Sequence, residues 1–539
     1  MATDSIQINN TYAIDFGTSN TVIARWNTAA EKIETVKLPG LSQQIDNNPP
    51  LIPSLVYVKN ASQEEVIVGQ TVRDRGFDVN NDSRFFRGFK RGIGTQIQGF
   101  LPQLDEKIVT FEQVGKWFLQ ELITQLQTNV PASPESLILT VPVDSFEAYR
   151  HWLTGVCQSL SVEQVRMLDE PTAAALGYGV ADGELLLVID FGGGTVDLSV
   201  VQLSARNKQT QGFILKWGKK LLGESSSQKA ASARVLAKAG QNLGGADIDN
   251  WLIDYFVATQ GLPKTSLTIR LAEKLKIQLS SQIETSEIYF NDETLESYEL
   301  NLDRKQFEHI LQQQQFFTRL DELMTQVLQQ ARSNGIEASD LDAVLLVGGT
   351  AQIPAVQNWI RHYFDEAKIR CDRPFEAIAT GALQIAIGWE VKDFLYHSYG
   401  IRYWNRKQNC HSWHPIIKTG QPYPMEKPVE LILGASSENQ PSIELIIGEM
   451  GAEAGGYEVY FDGDRLVTRT LNSEATIVQP LNDRDGARTI ARLNPLGNPG
   501  SDRIKLLFRV DRQRYLQITV EDLLTNATLL ENKIVAQLS

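Results

Sequence analysis

A motif that occurs twice restricts this chain more than any other feature. Tyr12-Ala-Ile-Asp15-Phe-Gly17-Thr18-Ser19-Asn20-Thr-Val-Ile-Ala and Leu185-Leu-Leu-Val-Ile-Asp190-Phe-Gly192-Gly193-Gly194-Thr195-Val-Asp197-Leu-Ser-Val share one order: apolar strand, Asp, Phe, glycine turn, hydroxyl residue, apolar strand. The residues after each turn alternate or are β-branched (Thr21, Val22, Ile23; Val196, Leu198, Val200), a strand pattern that predicts two β-hairpins. A carboxylate ending a strand can hold a hydrated divalent cation, and glycines let backbone N–H groups approach phosphate oxygens with no Cβ in the way. Two such turns can grip one triphosphate from both sides. Competing phosphate motifs fail. Gly212 to Lys220 contains a Gly-Lys pair with the wrong spacing and no Ser/Thr, and Gly192-Gly193-Gly194 lacks the third glycine of a dinucleotide fingerprint.

The 539 residues suggest about three or four folding units at roughly 150 residues each. With 65 Asp plus Glu against 51 Lys plus Arg and no dense basic block, nucleic acid and anionic membrane surfaces are poor partners. The longest apolar run is interrupted at Asp190, too soon for a membrane helix. The N-terminus has neither a basic nor an apolar leader segment, so the expected compartment is the cytoplasm. Cys157, Cys371 and Cys410 are odd in number and far apart, which argues against a disulfide framework. Cys410-His411-Ser-Trp-His414 lacks the further ligands of a structural zinc site and reads as a polar loop beside a buried Trp413.

Along the chain, residues 11 to 26 form the first hairpin and Leu51 to Val58 reads as one strand. Val114, Trp117, Phe118, Leu122 and Leu126 recur at helical spacing. A strand over Leu137 to Pro142 and a helix over Tyr149 to Leu160 follow, an alternation that indicates an α/β architecture. The Gln run 312 to 315 reads as the solvated face of a helix that also contains Phe316, Leu320, Leu323, Met324 and Val327. After about residue 390 short strands replace helices, including 429 to 433, 442 to 447, 503 to 510 and 515 to 520, so an all-β sandwich or barrel is expected there.

The two Asp-Phe-Gly turns resemble the phosphate motifs of the actin, hexokinase and Hsp70 ATPase superfamily. Further segments narrow the resemblance to the Hsp70 family: Leu168-Asp-Glu170-Pro-Thr-Ala-Ala-Ala-Leu-Gly-Tyr, Leu243-Gly244-Gly245-Ala-Asp247-Ile-Asp249 and Leu345-Leu-Val-Gly348-Gly349-Thr350-Ala-Gln352-Ile-Pro354. Pro415 to Pro424, Gln440 to Glu449 and Asn498 to Asp522 are similar to that family's β-rich peptide-binding module. The resemblance implies an α/β two-lobed actin-like (ribonuclease H-like) ATPase domain followed by an all-β sandwich. Its expected bounds are 1–388 for the ATPase domain, with lobe I about 1–184 and 371–388 and lobe II about 185–370. A linker over 389–398 and a β domain over 399–539 follow.

Residue by residue, the resemblance implies that Asp15 and Asp190 hold Mg2+ through water with Glu170 in the outer shell. Gly17, Thr18, Ser19 and Asn20 on one side and Gly192, Gly193, Gly194 and Thr195 on the other would contact the phosphates of ATP or ADP, next to Gly244 and Gly245. Lys90 would stabilise charge on the transferring phosphoryl group and Asp197 would orient the attacking water, with Glu170 and Thr195 completing the catalytic set. Positioning and charge neutralisation are what phosphoryl transfer requires. Glu273, Lys276 and Ser280 would face the ribose, and Gly348, Gly349, Thr350 and Gln352 would lie at the adenosine.

The sequence departs from the family pattern around the base, where Ile277 and Gln352 replace arginines and Phe375 an acidic residue. A lost guanidinium stack removes about 0.5–2 kcal/mol. The chain stops at Ser539 just after its last strand pattern, so the expected β domain lacks the family's helical lid. The linker Trp389 to Gly400 has no leucine run and would dock through Phe394, Leu395 and Tyr396. The expected function is an ATP-hydrolysing chaperone for unfolded or extended polypeptides, served by a J-domain protein and a nucleotide-exchange factor. The alternative is a nucleotide-gated adaptor or co-chaperone with little turnover.

Overall fold

The computed structural model describes residues 10–27, 29–45, 48–79, 82–95, 97–98, 101–130, 134–142, 147–160, 162, 164–179, 183–204, 215–217, 232–292, 294–384, 398–405, 410–418, 421, 425, 427–450, 457–462, 465–470, 478–481, 488–511 and 514–538. The described chain separates into two compact units. One comprises Met1–Val391 with Tyr457–Arg469, the other Lys392–Gly456 with Thr470–Ser539.

Both repeated motifs are β-hairpins, and each sits at the same place in its own sheet. Strand Thr11–Phe16 pairs antiparallel with Asn20–Asn27, Asp15 opposite Val22, and parallel with Ser136–Val141. Strand Leu185–Phe191 pairs antiparallel with Val196–Ser204, Asp190 opposite Asp197, and parallel with Ala343–Val347. The first sheet continues through Gln164–Asp169 to Leu215–Trp217 on one side and to Lys32–Thr35 on the other; the second runs from Ser232–Gln241 to Ile369–Arg370. Strands flanked in this way are apolar along nearly their whole length, and within residues 12–16 and 186–191 Asp15 and Asp190 are the less buried positions.

One core lies between the sheets. Ala13, Val22 and Ile138 of the first and Leu186, Val188 and Leu345 of the second pack around helices Glu170–Gly177 and Ala377–Gln384. These helices are built of small residues, and they cross so closely that a Cβ on Gly381 would run into the carbonyl oxygen of Ala173. A second core lies on the far face of the second sheet, where Leu252, Phe256, Leu275, Leu320 and Val327 cover Leu187, Ile189 and Leu198.

The stripe expected around Trp117 is the buried face of helix Phe111–Asn129, whose start carries a capping box from Thr110 and Gln113. Strand Leu137 to Pro142 and the helix after it appear as Ser136–Val141 and Glu147–Ser159. The Gln run is different from its sequence reading. Helix Arg304–Gln313 ends there and Phe316–Ser333 begins, with Gln315 at φ 55°, so the run is an exposed joint between two helices. Burying both Leu311 and Phe316 requires the chain to turn, and no Gly or Pro announces it.

Among its described residues the second unit contains two four-stranded antiparallel sheets and a two-stranded one. Cys410–Ile417, Ser398–Asn405, Ile447–Met450 and Val478–Pro480 form one, and Val429–Gly434, Asp502–Val510, Tyr515–Asp522 and Ala527–Gln537 the other. Gln440–Leu445 pairs with Arg488–Gly497, so the expected strand over 442 to 447 is two strands broken at Ile446. Tyr399, Ile401, Ile447, Leu506, Phe508, Ile518 and Val520 share one core, as alternation in sandwich strands requires. Cys410 to His414 is thus strand rather than loop, with Trp413 half-buried. Among the described residues no three or more His, Cys, Asp or Glu are placed to ligate a metal directly.

Tyr457–Asp462, late in sequence, belongs to the first unit. It pairs parallel with Ile97–Gln98, Glu458 opposite Ile97. Backbone pairing at a strand edge leaves no mark in the side-chain pattern. Residues 385–397, which carry most of the expected linker and its Phe394, Leu395 and Tyr396, lie outside the described residues. No helix among the described residues is long and apolar enough to cross a membrane.

Candidate active site

The two glycine turns face each other. A Cβ on Gly194 would lie 2.6 Å from the Thr18 hydroxyl, and one on Gly193 would overlap the Ser19 side chain, so the hairpins pinch a cleft with backbone on one wall and hydroxyls on the other. The strand expected over Leu51 to Val58 is interrupted at Ser54 for the sake of this turn. Its N–H donates to the Ser19 carbonyl (2.8 Å) and its hydroxyl to the Gly17 carbonyl (2.8 Å). Asn20 accepts a hydrogen bond from Gln43 at 3.4 Å.

The second turn is held from three directions. The Gly245 and Ala246 N–H groups, at the start of helix Gly245–Gln260, donate to the Gly192 and Gly193 carbonyls at 3.1 and 2.9 Å. Thr350 donates from its hydroxyl to the Gly192 carbonyl at 2.8 Å, from the turn after strand Ala343–Val347 where Gly348 takes φ 84°. Arg91 donates Nε to the Gly194 carbonyl at 2.9 Å and pairs with Asp247 at 2.5 Å. Arg91 was not singled out from the sequence; its adjacency to Lys90 was the available signal.

Lys90 enters through aromatic packing. Phe89, fully buried, packs with tilted rings against Phe16 and Phe118, centroids 6.2 and 5.8 Å away, which fixes the short 3-10 turn Phe89–Gly92. The Lys90 ammonium then lies 3.3 Å from Glu170 Oε1 and 5.5 Å from the centre of the Phe16 ring. Burial opposes its charge, but Glu170, Tyr149 and Asp15 hold its pKa above the usual lysine range. Glu170 opens its helix, where Asp169 caps the Thr172 N–H at 2.8 Å.

The carboxylates are strained electrostatically. Burial, then the Glu170 charge, pushes Asp15 up to about 7, although Thr140 donates to its Oδ1 at 3.1 Å. Burial, then Glu170, Asp15 and Asp197, pushes Asp190 well above the carboxylate range. Buried acids that raise one another in this way are what a divalent cation relieves, so the donor set fits a hydrated Mg2+.

The residues expected at the ribose are engaged with protein partners. Glu273 is paired with Arg73 at 2.8 Å, and Lys276 with Asp249 at 2.7 Å and the Gly245 carbonyl at 2.8 Å. The Ser280 hydroxyl donates to the Lys276 carbonyl at 3.3 Å, back into its own helix. Ile277 is 43% exposed, Gln352 ends the turn Gly349–Gln352, and Phe375 packs 3.1 Å from where a Gly349 Cβ would be. The structure therefore brings Asp15, Lys90, Glu170, Asp190 and Asp197 together between the turns, and leaves Ser280 turned back on its helix.

The chain matches the family described as Hsp70 protein over residues 11–209 and 231–401. It is similar to the chaperone protein DnaK of Thermosipho melanesiensis, 27% identical over 462 residues, which covers 81% of this chain and 70% of that protein. The DnaK proteins of Thermosipho africanus and Thermotoga petrophila are 29% and 28% identical over 395 and 397 residues. These alignments cover 69% of this chain and only 58% and 59% of those relatives' length. The hairpins, the cleft and the β-rich unit are accordingly those of two actin-like ATPase lobes followed by a β sandwich, and the chain belongs to the Hsp70 family.

Proposed function

We propose that this protein binds and hydrolyses ATP between its two hairpins and uses the β sandwich to hold extended polypeptide segments. The observation that carries the reading is the Lys90–Glu170 ion pair set among Asp15, Asp190 and Asp197 where the two glycine turns meet. Asp15, Asp190 and Glu170 would hold the hydrated Mg2+, which when bound supplies charge neutralisation to the phosphates. Backbone N–H groups of residues 17–20 and 193–195 and the Thr18, Ser19 and Thr195 hydroxyls orient the phosphate chain, while the Gly192 N–H closes its own turn by donating to the Thr195 carbonyl at 3.0 Å. The Lys90 ammonium, charged at all working pH values, stabilises negative charge on the transferring phosphoryl oxygens. Asp197, opposite Asp190 across the hairpin, orients the attacking water and takes its proton on a carboxylate oxygen. Glu273 and Lys276 reach the ribose only by sharing Arg73 and Asp249 with it. Strand-like backbone pairing in a β sandwich suits an extended client peptide. On this reading the protein acts in the cytoplasm with a J-domain protein and an exchange factor.

Single-turnover hydrolysis of ATP, with Mg2+ or EDTA and with or without unfolded peptide, tests it. Mg2+-dependent turnover stimulated by peptide is expected. Tight ATP binding with no turnover would leave the adaptor reading, and binding indifferent to Mg2+ would remove the acidic set from the site.

A further inference from the structure

The two ends of the second glycine turn are held by different groups. Arg91, the neighbour of Lys90, donates to the Gly194 carbonyl, whereas the Thr350 hydroxyl and the Gly245 N–H donate to the Gly192 carbonyl. A nucleotide whose terminal phosphoryl group meets Lys90 therefore runs its nucleoside toward Gly245 and Thr350. Two apolar side chains border that end. Lys276, bonded to the Gly245 carbonyl at 2.8 Å, is followed by Ile277, which is 43% exposed and shares a helix face with Glu273 and Ser280. Phe375 is half-buried and packs against the core that contains Val347 and Ala377. The Gly348 N–H fixes the chain before it by donating to the Pro374 carbonyl at 2.7 Å. The Phe375 ring lies 3.1 Å from where a Gly349 Cβ would be, and Gly349 is itself exposed, so glycine there leaves the ring bare where any side chain would cover it. The polar side chains nearby are already engaged: Thr350 with Gly192, Lys276 with Asp249, and Ser280 with the Lys276 carbonyl.

We propose that Phe375 and Ile277 receive the base of the bound nucleotide as a stacking surface, and that the site accepts guanine as well as adenine nucleotides. This rests on the nucleotide reading above and names the substrate class of the same cleft. Adenine and guanine present opposite patterns beside their 6-substituent, an amino donor with a ring acceptor against a carbonyl acceptor with a ring donor. Selecting one of them strongly takes a fixed polar group that the other leaves unpaired, whereas an apolar site discriminates weakly. An aromatic ring and an aliphatic side chain meet the π-face that both purines share. Gln352, at the end of the turn that carries Gly349, has a primary amide that offers a donor and an acceptor and can turn to suit either edge. Lys90, the turn backbone and the acidic set address phosphate and Mg2+ and carry no information about the base.

Titration calorimetry with Mg-ATP, Mg-GTP and Mg-tripolyphosphate, on the parent protein and on Phe375→Ala, tests it. In the parent, Kd values for ATP and GTP within about ten-fold of each other are expected. Phe375→Ala should weaken both about ten-fold, the scale for one base–aromatic stack, and leave tripolyphosphate binding unchanged, which also shows that the cleft of the variant is intact. A preference of the parent for either nucleotide beyond that range overturns the tolerance. Unchanged ATP and GTP affinity in Phe375→Ala, or tripolyphosphate weakened by the same factor, overturns the stacking role. Parent protein that binds none of the three overturns the nucleotide reading and this inference with it, whereas strict selectivity for ATP overturns this inference alone.

Discussion

Gly244 and Gly193 meet backbone to backbone: a Cβ on Gly244 would lie 2.5 Å from the Gly193 carbonyl carbon. The contact brings the helix start within reach of the second turn, so that two of its otherwise unpaired N–H groups are satisfied by the Gly192 and Gly193 carbonyls. Gly244→Ala must push the turn into the cleft or away from the helix. Overpacking of this kind costs about 1–3 kcal/mol, and Mg-ATP affinity should fall about ten-fold because the phosphate-facing backbone moves. Calorimetry and thermal unfolding measure both. An alanine variant that binds and unfolds like the parent would mean that the turn yields freely.

Lys90→Ala should lower single-turnover hydrolysis about 10²- to 10³-fold, the scale for one preorganised charge-stabilising group. Nucleotide-free stability should fall as well, by about 3 kcal/mol, because Glu170 is left buried without its counter-charge. Mg-ATP binding is expected to persist. Hydrolysis at the parent rate in the variant would take Lys90 out of the mechanism.

Arg73 joins Glu273 at 2.8 Å, while the buried Asp78 lies 3.2 Å from Arg270 and 4.0 Å from Arg73. Arg73 belongs to helix Gln70–Asp74 and Arg270 and Glu273 to helix Ser266–Ser281, so these pairs tie two elements together at the residues proposed to face the ribose. Burial opposes the Glu273 charge, but Arg73 and Lys276 hold its carboxyl below the usual range. Glu273→Gln should therefore speed nucleotide release about three- to ten-fold, since a partly exposed pair contributes about 1 kcal/mol. Stopped-flow dissociation of a fluorescent nucleotide reads it, and the parent, not the variant, should show the stronger salt dependence. Identical off-rates would show that the pairs do not gate release.

Both hairpins were legible in the sequence because their signal is local: an apolar run before each Asp-Phe-Gly and an alternating or β-branched run after it specify the strands, and the turn has nowhere else to go. Lys90 and Glu170 were legible only through family resemblance, since they lie 80 positions apart and nothing between them announces their contact. Arg91 escaped for the same reason; its carbonyl partner Gly194 lies 103 residues away. Gln315 marks the opposite failure. A helical pattern continues across it in sequence, but burying Leu311 and Phe316 together forces a left-handed residue that glutamine does not advertise.

In the β unit, Arg503 donates to both carboxylate oxygens of Asp522, at 2.7 and 2.8 Å, with both side chains buried. Asp522 also caps the turn that follows it, accepting from the Leu524 N–H at 2.9 Å. The Arg503 guanidinium first, then these backbone donors, hold the carboxyl down at about 2. A depressed carboxylate pKa stabilises the folded state above the unfolded-state value near 4 and loses that contribution as pH falls through the folded value near 2. The β unit should therefore lose about 2 kcal/mol between pH 4 and 2 from this one group. Asp522→Asn should bring a loss of about 3 kcal/mol forward to neutral pH by leaving the arginine buried and unpaired. Denaturant unfolding followed at neutral pH and at pH 2.5 checks both. The variant should show a flatter acid limb than the parent, and equal slopes would assign the acid sensitivity to other carboxylates.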